Sequence, residues 1–110
     1  MREHVDYIIT KMKQIGYATP DVTRRQSNQV KFIYRKKRGK DYEFRIDVDR
    51  NKIHCLLYIN PQDQALLNDW EEEMYTSNNK KLLVSKDLRP SSPSKEVEAV
   101  MDDVQRMIKS

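Results

Sequence analysis

The sequence predicts an α+β fold, in which an antiparallel meander of three to four strands is packed by amphipathic helices at its N- and C-terminal ends. Three observations predict it: helical spacing of apolar residues in the first and last segments, strand-like patterns in three central segments, and short connections between those segments. With 110 residues, 37% of them hydrophobic, the chain is interpreted as one domain, residues 1–110. Since it contains no long apolar run, no membrane-spanning segment is predicted.

The N-terminal helix is predicted from five apolar residues at helical spacing, followed by Gly16 at a position typical of a helix C-terminus. The apolar stripe consists of Val5, Ile8, Ile9, Met12 and Ile15. In a small domain such a stripe is typical of a helix face that packs on the core. Residues 17–28 contain Pro20 and many polar side chains, and we interpret them as a connector.

Three segments have the composition of β-strands. In residues 30–35 and 42–48, apolar or aromatic side chains alternate with mostly charged ones. Residues 53–59 are apolar at nearly every position. The first two segments are joined by residues 36–40 and the last two by residues 50–52. Because connections of this length are typical of hairpins, the three segments predict an antiparallel meander.

A further helix is predicted after the third strand. Asn60 and Pro61 have the residue types of an N-cap and a first helical position, and apolar residues follow at helical intervals. These residues are Leu66, Leu67, Trp70 and Met74. Residues 82–84 predict an additional short strand, and the last helix carries a regular apolar stripe. That stripe consists of Val97, Val100, Met101, Val104, Met107 and Ile108.

Charge is distributed unevenly along the chain, although the net charge is only +4. Residues 23–40 contain eight basic residues and no acidic one, whereas residues 61–75 contain five acidic residues and no basic one. This pattern predicts an electrostatically bipolar molecule.

The basic residues predict a nucleic-acid-binding β-hairpin. A hairpin tip that projects several cations can reach phosphate oxygens in a nucleic-acid groove, and basic residues of the preceding connector would extend the patch. The predicted nucleic-acid-binding residues are Arg24, Arg25, Arg35, Lys36, Lys37, Arg38 and Lys40. The alternative is an ordinary solvated turn, because hairpin tips are commonly polar. Our leading interpretation is a small non-enzymatic binding domain that engages DNA, RNA or a nucleoprotein complex.

The acidic residues point to a second interpretation, a protein–protein interaction module such as an adaptor or an inhibitor of a larger enzyme. In this hypothesis the acidic helix docks a basic protein surface, and an exposed sheet face around Ile33, Leu56 and Tyr58 contributes. The predicted partner-binding residues are Asp69, Glu71, Glu72 and Glu73. Trp70 is interpreted as a core residue in the first place and as an interface anchor in the second. The sequence leaves open whether the chain forms a homodimer.

Catalysis, cofactors and metals are not expected. The chain has one cysteine, Cys55, interpreted as a buried thiol, and His4 and His54 are its two histidines, too few for a zinc site of the usual Cys/His type. The carboxylates of Glu43, Asp47 and Asp49 form a row that can hold Mg²⁺, but Arg45 lies within it. The single cysteine favours a reducing, cytoplasmic setting. No export segment is expected, because acidic residues stand where a signal peptide needs an apolar stretch.

Overall fold

The computed structural model describes residues 2–15, 21–23, 29–35, 41–77 and 80–109, with side chains described for residues 3–15, 43–77 and 80–108. Within these ranges there are two α-helices, six β-strands and one short 3-10 helix. The elements are α1 (Arg2–Ile15), β1 (Asp21–Thr23), β2 (Gln29–Arg35), β3 (Asp41–Val48), β4 (Ile53–Ile59), the 3-10 helix (Pro61–Leu66), β5 (Glu71–Thr76), β6 (Lys81–Leu88) and α2 (Ser94–Lys109).

The predicted α+β class and the central meander are confirmed. Strands β2, β3 and β4 follow one another in an antiparallel sheet, with Phe44 of β3 opposite Phe32 on one side and Leu57 on the other. The turn between β3 and β4 is closed by a hydrogen bond from the Asp49 amide to the Lys52 carbonyl, 2.8 Å long. This part of the fold follows from local sequence, because alternation and short connections specify antiparallel neighbours.

The sheet contains more strands than the three to four predicted. Its spatial order is β1-β2-β3-β4-β6-β5, and all neighbouring strands are antiparallel. Asp21–Thr23, which we predicted to be part of a connector, pairs with the start of β2. After β4 the chain skips one position, forms β5 at the far edge, and returns as β6 between β5 and β4. The short strand predicted around Leu82–Val84 is therefore an internal strand of the sheet.

The helix predicted after Asn60 begins as expected but ends early. It is a 3-10 helix of six residues, and Leu67 already has an extended backbone. Asp69 then has a positive φ of 59°, and residues 71–76 form β5 instead of a helical turn. The helical spacing was misleading because Leu66, Leu67 and Trp70 do reach the core, but from an irregular connector. Pairing with β6 supplies the backbone hydrogen bonds that decide the strand.

One hydrophobic core lies between the sheet and the two helices. Helix α1 contributes the fully buried Ile8 and Met12, and the sheet contributes residues such as Phe44 and Leu57. All six apolar residues of the predicted stripe on α2 are buried: Val97, Val100, Met101, Val104, Met107 and Ile108. The helices thus cover one face of the sheet. The other face, on which no described helix packs, is called the open face below.

Neither α-helix of the described part of the chain combines the length and the apolar composition needed to cross a bilayer.

Candidate functional site

The predicted basic hairpin is formed by β2 and β3. Their pairing extends to Arg35 opposite Asp41, so residues 36–40 connect the ends of two paired strands. Lys36, Lys37, Arg38 and Lys40, which belong to this connection, lie outside the described residues, as do Arg24 and Arg25. The backbone of Arg35 is described as the last residue of β2, without its side chain.

The two basic segments flank opposite ends of β2. Residues 24–28 connect Thr23 to Gln29 at the start of this strand, and residues 36–40 leave from Arg35 at its end. A strand of seven residues is about 20 Å long. The described residues that bound the two segments are therefore separated by the length of a strand.

The predicted acidic helix is wrong, because its residues lie on an edge strand and on the connector before it. Glu71, Glu72 and Glu73 are the first three residues of β5, and Asp69 precedes them in the left-handed backbone conformation. All four are exposed. Strand β5 is the last strand of the sheet, four strand positions from β2. At about 4.8 Å per strand, the acidic edge lies roughly 19 Å from β2.

The exposed apolar face predicted around Leu56 is also corrected. Leu56 points away from the helix-covered core but is only 3% exposed, and its open-face neighbour Leu83 is 8% exposed. Tyr58 is half-buried, and the side chain of Ile33 lies outside the described residues. The described apolar residues at the centre of this face therefore do not form a broad exposed surface.

A polar cluster on the open face was missed by the sequence analysis. We call it the His54 cluster: Lys52, His54, Glu73, Ser85 and Asp87. The His54 ring contacts Asp87 Oδ1 through Nδ1 and lies 3.3 Å from Glu73 Oε1 through Nε2. Ser85 donates its hydroxyl to the same Glu73 oxygen over 2.6 Å. Lys52 Nζ lies 3.7 Å from Asp87 Oδ2.

Strand register and a β-bulge assemble the His54 cluster. His54 on β4 is directly opposite Asp87 on β6, so their side chains share one face. On β5 the register shifts between Glu72 and Met74, which leaves Glu73 as an extra residue. A bulge redirects a side chain, and here the Glu73 carboxylate reaches across β6 to His54. These residues are far apart in sequence, and no local pattern indicates that they meet.

The side-chain contacts of the His54 cluster connect three strands, β4, β5 and β6. Both ring nitrogens of His54 face carboxylate oxygens, so the imidazole connects Asp87 on β6 with Glu73 on β5. Partial burial raises the pKa of Asp87, but the hydrogen bond from His54 and the charges of His54, Lys52 and Arg89 outweigh it. The pKa of Asp87 therefore lies below its usual value.

The carboxylates of the described residues do not gather around one point. The two carboxylates of the His54 cluster lie at opposite sides of the imidazole, so they do not converge on one ion. Ser85 is buried and its hydroxyl is engaged by Glu73. No group of three or more potential metal ligands occurs among the described side chains, including Glu43, Asp47 and Asp49. Instead, Asp47 Oδ1 lies 3.4 Å from Arg45 Nε.

The Cys55 thiol is buried, as predicted. Burial and the nearby Asp87 charge, opposed by Lys86, raise the pKa of the Cys55 thiol to about 12. The thiolate, which is the nucleophilic and metal-binding form, is therefore suppressed at neutral pH.

A second polar cluster joins the connector before β5 to helix α2. We call it the Asp103 cluster: Asn68, Trp70, Asp103 and Arg106. Trp70 Nε1 donates to Asp103 Oδ2 over 2.8 Å, and Arg106 Nη1 donates to Asp103 Oδ1 over 2.8 Å. Arg106 also donates to the Leu66 carbonyl over 2.9 Å. Trp70 packs partly against the core, which agrees with the core interpretation of this residue.

The fold and its surfaces define a class of protein: a six-stranded antiparallel sheet with both described helices on one face and an acidic strand at one edge. Comparisons with protein-family models, with curated proteins and with solved structures find no match to this chain.

Proposed function

We propose that this protein binds nucleic acid, alone or within a nucleoprotein complex, through the basic residues that flank β2. The supporting observation is that the strand adjoined by the basic segments lies far from the acidic strand in the sheet order. The basic segments adjoin β2, whereas the acidic strand β5 is at the opposite edge, roughly 19 Å away. Phosphates that approach the segments flanking β2 therefore stay away from the acidic residues of β5.

The topology sets a minimum length for the nucleic acid. A ligand that contacts both basic segments must span β2, which is about 20 Å long. In a duplex this distance corresponds to about six base pairs, because successive base pairs are 3.4 Å apart. Binding should therefore rise steeply with oligonucleotide length up to about this size and more slowly beyond it.

This function needs no catalysis, cofactor or metal, since electrostatic attraction to phosphate is sufficient for affinity. It is compatible with a reducing, cytoplasmic compartment, because the single cysteine is buried and unpaired. The choice between DNA and RNA depends on base and sugar contacts, which phosphate attraction alone does not provide.

The test is binding of the full chain to labelled single- and double-stranded DNA and RNA over a range of salt concentrations. The variant replaces Lys36, Lys37 and Arg38 by Ala. We expect weaker binding to every sequence and a salt dependence reduced by about one slope unit for each lost phosphate contact.

A matched control removes the same charge elsewhere. Lys13, Arg50 and Lys95 are exposed residues on α1, on the β3–β4 turn and on α2, and their replacement by Ala also changes the net charge by three units. The control should bind with an almost unchanged salt slope. Equal weakening by the two triple variants would overturn the proposal, because it would reduce the effect to net charge. Absence of salt-dependent binding by the unmodified chain would overturn it as well.

A further inference from the structure

We propose that the outer edge of β5 takes up an extended, lysine- or arginine-rich segment of another protein as an additional strand of the sheet. This surface is independent of the proposed nucleic-acid site, since it lies at the opposite edge. Within the described part of the chain, β5 pairs with β6 on one side only. Residues 71–75 are all exposed. The outward backbone groups of an edge strand are ready to pair with another strand.

Contacts on the inner side of β5 already order this strand. Less conformational entropy is therefore lost when a partner strand pairs with it. Trp70, immediately before β5, is held by Asp103, and Glu73 is held by Ser85 and His54. A docking strand therefore meets a template whose position is set by three neighbouring elements: β4, β6 and α2.

The negative charge of β5 indicates which kind of partner strand it binds. Glu71 and Glu72 are exposed and have no side-chain partner among the described residues. Glu73 brings a third negative charge to the same strand, although its carboxylate is engaged by His54. Two copies of β5 placed edge to edge would bring six glutamates close together, and this concentration of negative charge is destabilising. A strand that carries Lys or Arg meets the opposite charge, so a basic segment of another protein is favoured over a second copy.

The C-terminal half of β5 offers apolar contacts for the same partner. Met74 and Tyr75 are each 51% exposed, the highest values among the large hydrophobic side chains that are described. As neighbours on a strand they project to opposite faces, so either face of the added strand finds one of them. Lysine and arginine can lay their alkyl stems on Met74, and their charges can interact with the Tyr75 ring.

The bulge at Glu73 limits the strength of this interaction. It interrupts the regular ladder in the middle of β5, so backbone pairing can be continuous over only part of the strand. The charges of Glu71 and Glu72 then supply a large share of the affinity. We expect binding that depends both on salt and on the ability of the partner to form a strand.

The experiment measures the binding of three labelled peptides to the full chain by fluorescence anisotropy at about 50 mM salt. The first peptide alternates lysine and valine. The second has the same charge but carries prolines at two central valine positions, which removes backbone donors and prevents strand pairing. The third alternates glutamate and valine. We expect the lysine–valine peptide to bind at least about tenfold more tightly than the other two.

The chain is varied in parallel. Glu71→Gln with Glu72→Gln should weaken binding of the lysine–valine peptide by about fivefold or more, since one of these charges lies on each face of the strand beside the partner. The matched control, Glu96→Gln with Asp102→Asn, removes two exposed charges from α2 and should leave the affinity almost unchanged. Circular dichroism and Trp70 fluorescence verify that each variant is folded. Slower amide exchange at residues 71–75 in the presence of the peptide is expected as an independent sign of pairing.

Four outcomes would overturn the proposal. Equal binding of the proline peptide would show that charge acts without strand addition. Equal effects of the two charge variants would show that β5 is not the contact surface, and no measurable binding would reject the surface altogether. Sedimentation analysis covers the other occupant: a dimer that is strengthened by Glu71→Gln with Glu72→Gln would assign the edge to a second copy. Nucleic-acid binding is measured separately with the Lys36, Lys37 and Arg38 variant, so the two proposals fail or succeed independently.

Discussion

Two polar clusters hold β5 to the rest of the molecule, and they differ in their exposure to solvent. Asp103, at the centre of the Asp103 cluster, is 2% exposed. In the His54 cluster the side chains of His54 and Asp87 are 26% and 38% exposed. When a buried polar group loses its hydrogen-bond partner, water cannot take the partner's place. When an exposed group loses its partner, water can hydrogen-bond to the group instead, and salt screens the charge of an exposed group. The connector before β5 is thus fixed firmly, and the middle of β5 is held by weaker, solution-dependent contacts.

The largest effect is expected from loss of the Asp103 carboxylate. Asp103→Ala removes a carboxylate that is 2% exposed and leaves the Trp70 indole N–H and one Arg106 N–H without this partner. We expect the free energy of unfolding to fall by about 2–3 kcal/mol, measured by urea denaturation. Asp102→Ala, at the exposed neighbouring position of α2, should change it by less than about 0.5 kcal/mol. Similar losses of stability in both variants would contradict the larger contribution that is assigned to the buried Asp103 carboxylate.

Trp70→Phe should have a smaller effect, about 1–2 kcal/mol in the free energy of unfolding. The aromatic ring remains, but the N–H that donates to Asp103 is removed, while Arg106 still donates to Asp103. The same substitution in the Asp103→Ala background should cost less, because the hydrogen bond is already absent. Additive losses in this cycle would argue that Trp70 contributes through packing alone.

The contact between His54 and Glu73 is expected to be weaker again. A double-mutant cycle of His54→Ala and Glu73→Gln, measured by urea denaturation near pH 6, should give a coupling energy of about 0.3–1 kcal/mol. Because both side chains are partly exposed, the electrostatic part of the coupling should shrink when salt is raised to about 0.5 M. Coupling that is larger than that of Trp70 with Asp103, or insensitive to salt, would reverse the comparison.

The smallest expected effect is the pH dependence that comes from Asp87. Its pKa is lowered in the folded protein, so its stabilising contribution is present above the pKa of the unfolded chain and is lost as the pH falls through the folded value. The stabilising contribution of Asp87 is therefore lost from about pH 5 downward. Since Asp87 is more than a third exposed, the contribution should stay below about 1 kcal/mol.

This contribution is measured by thermal unfolding of the unmodified chain and of Asp87→Asn between pH 6 and pH 3. The unmodified chain should be the more stable at pH 6, and the difference should shrink toward pH 3. A difference that grows as the pH falls would mean that Asp87 is stabilised as the protonated acid.

Local sequence patterns predicted the elements that depend on near neighbours. The stripe from Val97 to Ile108 identified α2 and its buried face, because a helix repeats its neighbours every three to four residues. Alternation between Val30 and Val48 identified the hairpin of β2 and β3. The same reasoning failed at Leu66, Leu67 and Trp70, because residues that pack on a core from an irregular connector can imitate helical spacing.

The fold and the candidate sites likewise depend partly on local sequence and partly on tertiary structure. The sequence by itself determined the α+β class, the two amphipathic helices, the central meander and the uneven distribution of charge. Only the tertiary structure decided that β6 inserts between β4 and β5, that Glu71–Glu73 lie on an edge strand, and that His54 meets Asp87 and Glu73. The reason is physical: turns and periodicity are local properties, whereas strand order and register depend on backbone pairing between residues far apart in the chain.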